Sequence, residues 1–188
     1  MIQYPIISFM NPLKRLLTAF ALFTLFIFLQ CHKDYNPPID NPYGLPNATQ
    51  SGANIFACRV NGVNWISKTD IYNLGGGVSN DTLSGHGTVL GNNYFDMIEF
   101  TIQGGAMAGG HYTFNSTSGQ KINFQTNKTC NGYLGNNIQH LVSTSGLGII
   151  TKIDKLNKII SGTFNCKVPV ATCDTLNITD GRFDINYY

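Results

Sequence analysis

The residues able to do chemistry are few and scattered. Among 188 residues there are five cysteines, four histidines, ten acids and nine tyrosines. His32, His86, His111 and His140 show neither H-x-H nor H-E-x-x-H spacing, so no metal site is expected from them. Of the ten acids only Glu99 is a glutamate, and Asp96 and Glu99 should face opposite sides of one strand. A glycosidase needs two carboxylates across one cleft. There is no G-x-S-x-G elbow, and Ser145 sits in a Thr-Ser-Gly turn. Gly75-Gly76-Gly77 lacks the spacing of a phosphate loop and reads as a flexible connection. These patterns point away from catalysis and cofactors, with a hydrolase as the minor alternative.

Aromatic side chains are the better lead. Tyr72, Tyr94, Tyr112 and Tyr133 are the expected ligand-stacking residues, because flat amphipathic rings beside Asn and Gln suit sugars. Trp65 follows a hairpin turn and reads as core.

Cysteine placement bears on compartment. Cys58, Cys130, Cys166 and Cys173 are an even set, and no C-x2-C pair marks zinc. Two disulfides are expected, with three connectivities open; a local Cys166–Cys173 bridge is favoured, leaving Cys58 with Cys130. The fifth cysteine, Cys31, stands apart. Lys14-Arg15 precede an apolar run over 16–29, which Gln30-Cys31 terminates. That run falls short of the ~18–20 residues that span a bilayer, so it reads as a secretory h-region. A cysteine at its end resembles a bacterial lipoprotein signal, in the looser Bacteroidota form. The resemblance implies that Cys31 carries the lipid and that residues 1–30 are removed. Met10 makes a more typical start than Met1.

Cleavage before Cys31 would leave 158 of 188 residues, with ten bases against ten acids. A neutral domain has no electrostatic footprint for nucleic acid. Membrane attachment would then come through lipid. Residues 31–52 hold Pro37, Pro38, Pro42 and Pro46 and read as an extended tether.

A single β-domain is expected over 53–188. Apolar residues recur with period two along Phe56–Val60, Tyr94–Gln103, Ile160–Cys166 and Phe183–Tyr187. Asn61-Gly62 is a hairpin signal between Val60 and Val63. Thr69–Leu74 reads as a short strand, and Gly85 and Gly87 as a bulge or close neighbour within Thr82–Leu90. Residues 149–160 favour a hairpin turning at 154–157 over a helix. Asp180-Gly181 reads as the turn of a last hairpin. About ten short strands with frequent turns predict an all-β antiparallel sandwich, with a small up-and-down barrel as the alternative.

Leu45-Pro46-Asn47-Ala48-Thr49-Gln50-Ser51-Gly52, running into Phe56–Gly62 and Trp65, forms one distinctive passage. Ile159–Phe164 with Ile178-Thr179-Asp180-Gly181-Arg182-Phe183-Asp184 forms another. Together they resemble an uncharacterised family of Bacteroidota lipoproteins, a domain of unknown function behind a lipoprotein signal. The resemblance implies lipid anchoring to the outer membrane, on its periplasmic face or at the surface, and carries no catalytic residue. Asp81-Thr82-Leu83 and Asp174-Thr175-Leu176 resemble the O-glycosylation sequence of Bacteroidota envelope proteins, which makes Thr82 and Thr175 candidate glycan sites. The expected role is a non-catalytic binding module for glycan or another extracellular ligand. A structural or adhesive surface lipoprotein, meeting an envelope protein, is the alternative.

Overall fold

The computed structural model describes residues 43–69, 73–91, 94–129, 132–133, 137–170 and 174–187. Among the described residues thirteen strands form, in chain order: β1 (Ile55–Val60), β2 (Val63–Ile66), β3 (Leu74–Ser79), β4 (Thr82–Leu90), β5 (Phe95–Ile102), β6 (His111–Thr113) and β7 (Lys121–Thr126). Then come β8 (Lys128–Thr129), β9 (Gly132–Tyr133), β10 (Gln139–Val142), β11 (Ser145–Asp154), β12 (Ile159–Val168) and β13 (Leu176–Asn186). One sheet runs β2-β1-β13-β12-β11-β6 and the other β10-β7-β5-β4-β3, with β8 and β9 as a small ribbon. Every pairing is antiparallel. Neither sheet closes on itself, so the architecture is a β-sandwich and not the barrel.

Period two explains the packing. Ile98, Phe100 and Ile102 of β5 face Phe164 of β12 and Phe183 and Ile185 of β13, all buried. Rings from both sheets meet in the middle: Phe100 stacks on Phe183 with centroids 4.4 Å apart and on Phe56 at 6.3 Å. Such ring pairs add about 0.5–1.5 kcal/mol beyond their area. Gly85 and Gly87 make room for them. A Cβ on Gly85 would stand 2.6 Å from the Phe100 ring, and one on Gly87 2.8 Å from Phe56. The register of β4 on β5 is unbroken there, so close approach is their reason and a bulge is not.

The turns follow local chemistry. Val60 pairs with Val63 across Asn61 (φ 50°) and Gly62 (φ 81°), the two-residue loop whose twist matches the strands. Asp154 pairs with Ile159, so residues 149–160 are a hairpin. In that turn Asn157 donates through its backbone N and Nδ2 to Asp154, both at 2.9 Å. These bonds, the side-chain one first, hold the Asp154 carboxyl down to about 2.

Several expectations are corrected. Gly75-Gly76-Gly77 is not a flexible loop but the body of β3, paired with Ser84, Gly85 and His86. Side-chain-free residues fit because a Cβ on Gly76 would meet the Ser84 carbonyl at 2.9 Å. The strand expected over Thr69–Leu74 begins only at Leu74; residues 70–72 lie outside the described ones. Asp180-Gly181 does not reverse the chain: β13 runs on through it as a bulge. Phe164 opposes Gly181 and Cys166 opposes Ile178, leaving one extra residue on β13, and Asp180 takes φ 53°. A residue suited to φ > 0 serves a turn or a bulge equally, and only the strands on both sides decide which.

Residues 43–52, expected as tether, lie on the outer face of the six-stranded sheet. Leu45 is buried there. The outward side chains of β13 bind this strap in series. Arg182 Nη1 donates to the Pro46 carbonyl at 3.1 Å, and Asn186 Nδ2 to the Gly52 carbonyl at 2.7 Å. Between them Asp184 accepts five bonds, from Thr49 Oγ1 (2.5 Å), the amides of Ser51, Gly52 and Ala53 (3.0, 2.9 and 3.0 Å) and Ser161 Oγ (2.6 Å). Burial by itself would raise the Asp184 carboxyl; the Ala53 amide and its companions outweigh that and hold it below the ordinary carboxylate range.

Candidate functional site

A cleft of about 1190 Å³ opens at one end of the sandwich, between the edge formed by β2 and the facing sheet. Val60, Val63, Trp65 and Leu176 line it from the six-stranded sheet, and Val89, Phe124 and Leu141 from the other. Alternation along each strand places these residues inward, and the sheets diverge enough here that they do not close on each other. Val63 and Ile66 stand on the rim, 71 % and 45 % exposed.

Asn61, Asn64 and Asp174 interrupt the apolar wall, and so does a charged pair. Asp96 of β5 is buried and accepts a 2.6 Å bond from Thr126 Oγ1 and an ion pair from Lys128 Nζ. The Lys128 amide donates in turn to Thr126 Oγ1 at 2.9 Å. The lysine ammonium lies 4.0 Å from the centroid of the Tyr94 ring, a cation–π contact. Asp96 and Glu99 do face opposite sides of β5, the first inward and the second half-exposed. Trp65 is the single tryptophan, and its Nε1 is buried without a hydrogen-bond partner among the described residues.

Of the four tyrosines expected to stack a ligand, Tyr94 and Tyr112 have described side chains, and these two lie apart. Tyr94 lines the cleft, with Lys128 over its ring. Tyr112 belongs to β6, at the far edge of the six-stranded sheet, and its hydroxyl accepts from the Met107 amide at 2.8 Å. Tyr133 enters through its backbone in β9, and Tyr72 lies outside the described residues. Thr82 opens β4 beside the Asn80-Asp81 turn, half-buried. Thr175 is exposed, next to Asp174, which reaches the cleft.

No disulfide is seen among the described residues, where Cys58 and Cys166 are both free. They face inward from β1 and β12 on either side of β13 and pack as small apolar groups. Burial pushes the Cys166 thiol up to about 12; it also raises Cys58 well above its ordinary value, with the neighbouring Cys166 and Asp180 adding to it. Such thiols are poor nucleophiles. Cys130, Cys173 and Cys31 lie outside the described residues. No group of three or more His, Cys, Asp and Glu side chains able to hold a metal occurs among the described residues.

Alternation sets Asp96 and Glu99 on opposite sides of β5, but nothing local marks Lys128 as the partner of Asp96, because the pair forms across two strands. Asp184 was legible only as an outward residue of the last strand; its five donors come from positions 49–53 and 161. Comparisons with protein-family models, with curated proteins and with solved structures found no match.

Proposed function

We propose that this chain is a lipid-anchored cell-envelope protein of the Bacteroidota lipoprotein kind, with Cys31 carrying the lipid and the β-sandwich acting as a non-catalytic binding module for an extracellular ligand. The observation that carries the reading is the open cleft, whose mostly apolar walls hold an ion pair and a few further polar side chains, the usual make-up of a ligand site. Asp96 is engaged by Lys128 and Thr126, which speaks for anchoring and orientation over proton transfer.

Thermal unfolding of residues 31–188 carrying Cys31→Ser, across a panel of oligosaccharides, amphiphiles and metals, tests it. A ligand at a hundred times its Kd stabilises by ~2.7 kcal/mol, which reads as a shift of several degrees. Concentration-dependent shifts with one chemical class support the module; a flat response throughout overturns it. The adhesive alternative draws on β2, a sheet edge with the exposed apolar residues Val63 and Ile66. Concentration-dependent self-association in sedimentation, lost on Val63→Asp, would favour that reading.

A further inference from the structure

We infer that the cleft takes the hydrocarbon chain of an amphiphile, with the Asp96–Lys128 pair meeting its polar end. This rests on the binding-module reading and names the ligand class.

Wall chemistry comes first. Binding a sugar calls for free ring faces and a fringe of hydrogen-bonding groups. Among the described residues Tyr94 is the tyrosine lining the cleft, and the Lys128 ammonium already sits over its ring. Trp65 is 93 % buried, held edge-on against Phe56 at 6.1 Å. Asn61, Asn64 and Asp174 add polar side chains to the lining, and the rest of the wall open to a ligand is aliphatic: Val60, Val63, Val89, Leu141 and Leu176. These give no directional bonds and reward apolar area alone. At the polar end, the Lys128 side chain is 40 % exposed, so its ammonium can serve a headgroup oxygen while keeping Asp96.

The position of the cleft says where such a chain would come from. The described chain begins at Tyr43, whose carbonyl accepts from Asn64 Nδ2 at 2.7 Å and whose ring lies 3.8 Å beneath the Arg59 guanidinium. Asn64 itself lines the cleft. About a dozen residues separate Tyr43 from Cys31, a reach of at most ~43 Å when fully extended. With Cys31 lipidated, a tether of that reach lets the cleft come to the bilayer and its amphiphiles.

The single tryptophan supplies the readout. Residues 31–188 with Cys31→Ser retain every described residue, and Trp65 fluorescence is titrated with dodecyl maltoside below its micelle concentration, octyl maltoside, dodecanoate and maltose. Saturable changes are expected with dodecyl maltoside and dodecanoate. The dodecyl maltoside should bind at least tenfold more tightly than the octyl one, because each buried methylene adds to affinity. Maltose alone should be silent. Val63→Asp on the rim should weaken dodecyl maltoside at least tenfold with little change in Tm, since Val63 is largely exposed. Leu156→Asp, 90 % exposed on the β11–β12 turn and outside the cleft, should leave binding unchanged. Maltose binding as well as dodecyl maltoside would overturn the hydrocarbon assignment and keep the binding module. Non-saturating changes indifferent to Val63→Asp would overturn it as detergent adsorption. Silence from all four probes, together with a flat thermal panel, would overturn both.

Discussion

Two buried aspartates divide the molecule. Asp184 and Asp96 are 1 % and 3 % exposed, each at an alternating position of a strand. Asp184 accepts from five donors, three of them consecutive backbone amides of the strap. Asp96 has one hydroxyl and one lysine, and the lysine side chain is partly in solvent at the cleft. A carboxylate whose acceptor sites are filled by backbone holds structure together and has no capacity left for a ligand. One held by a long, half-exposed side chain stays available. The strap on the outer face of β13 is a sealed region, while the cleft beside β2 is a region left open by the same fold.

Asp184→Ala is the variant with the largest expected effect. It leaves three amides and two hydroxyls without their acceptor, at a cost of about 3–5 kcal/mol. Urea unfolding at pH 7 checks this. The carboxyl sits below its ordinary value in the folded state, so its contribution is present above the unfolded pKa near ~4 and is lost as pH falls through the lowered folded value. The gap between wild type and Asp184→Asn should therefore shrink under acid.

Lys128→Met should cost less, about 1–3 kcal/mol, because Thr126 and solvent at the cleft still serve Asp96. If it matched Asp184→Ala, the contrast between sealed and open carboxylates would fail. The thiols come next. Cys58 and Cys166 should resist alkylation in the native state and react once unfolded, which mass mapping after a timed iodoacetamide pulse would read. Prompt native labelling of either would mean that the layer between the sheets opens readily. The smallest effect belongs to the exposed hairpin: Asp154 should titrate near pH 2 by NMR, and Asn157→Ala should move it back toward the usual range.

The two distinctive sequence passages turn out to be one physical unit. Residues 45–52 and the end of β13 are more than a hundred positions apart, yet Arg182, Asp184 and Asn186 bind that strap residue by residue. Alternation alone told which side chains of β13 face outward. It could not tell that a proline-bearing segment of low apolar content would cover them, because the strap is held by polar bonds and not by a hydrophobic period.

Sequence by itself determined the all-β class, the inward residues of β5, β12 and β13, and the hairpins at Asn61-Gly62 and 154–157, since period-two burial and φ > 0 turns are properties of neighbouring residues. Tertiary structure alone decided the rest. A partner strand made β3 out of three glycines, flanking registers made a bulge out of Asp180-Gly181, and apolar surroundings kept Cys58 and Cys166 as buried thiols. The divergence of two sheets, a matter of contacts far apart in the chain, brought Tyr94, Asp96, Lys128 and the aliphatic walls around one cleft.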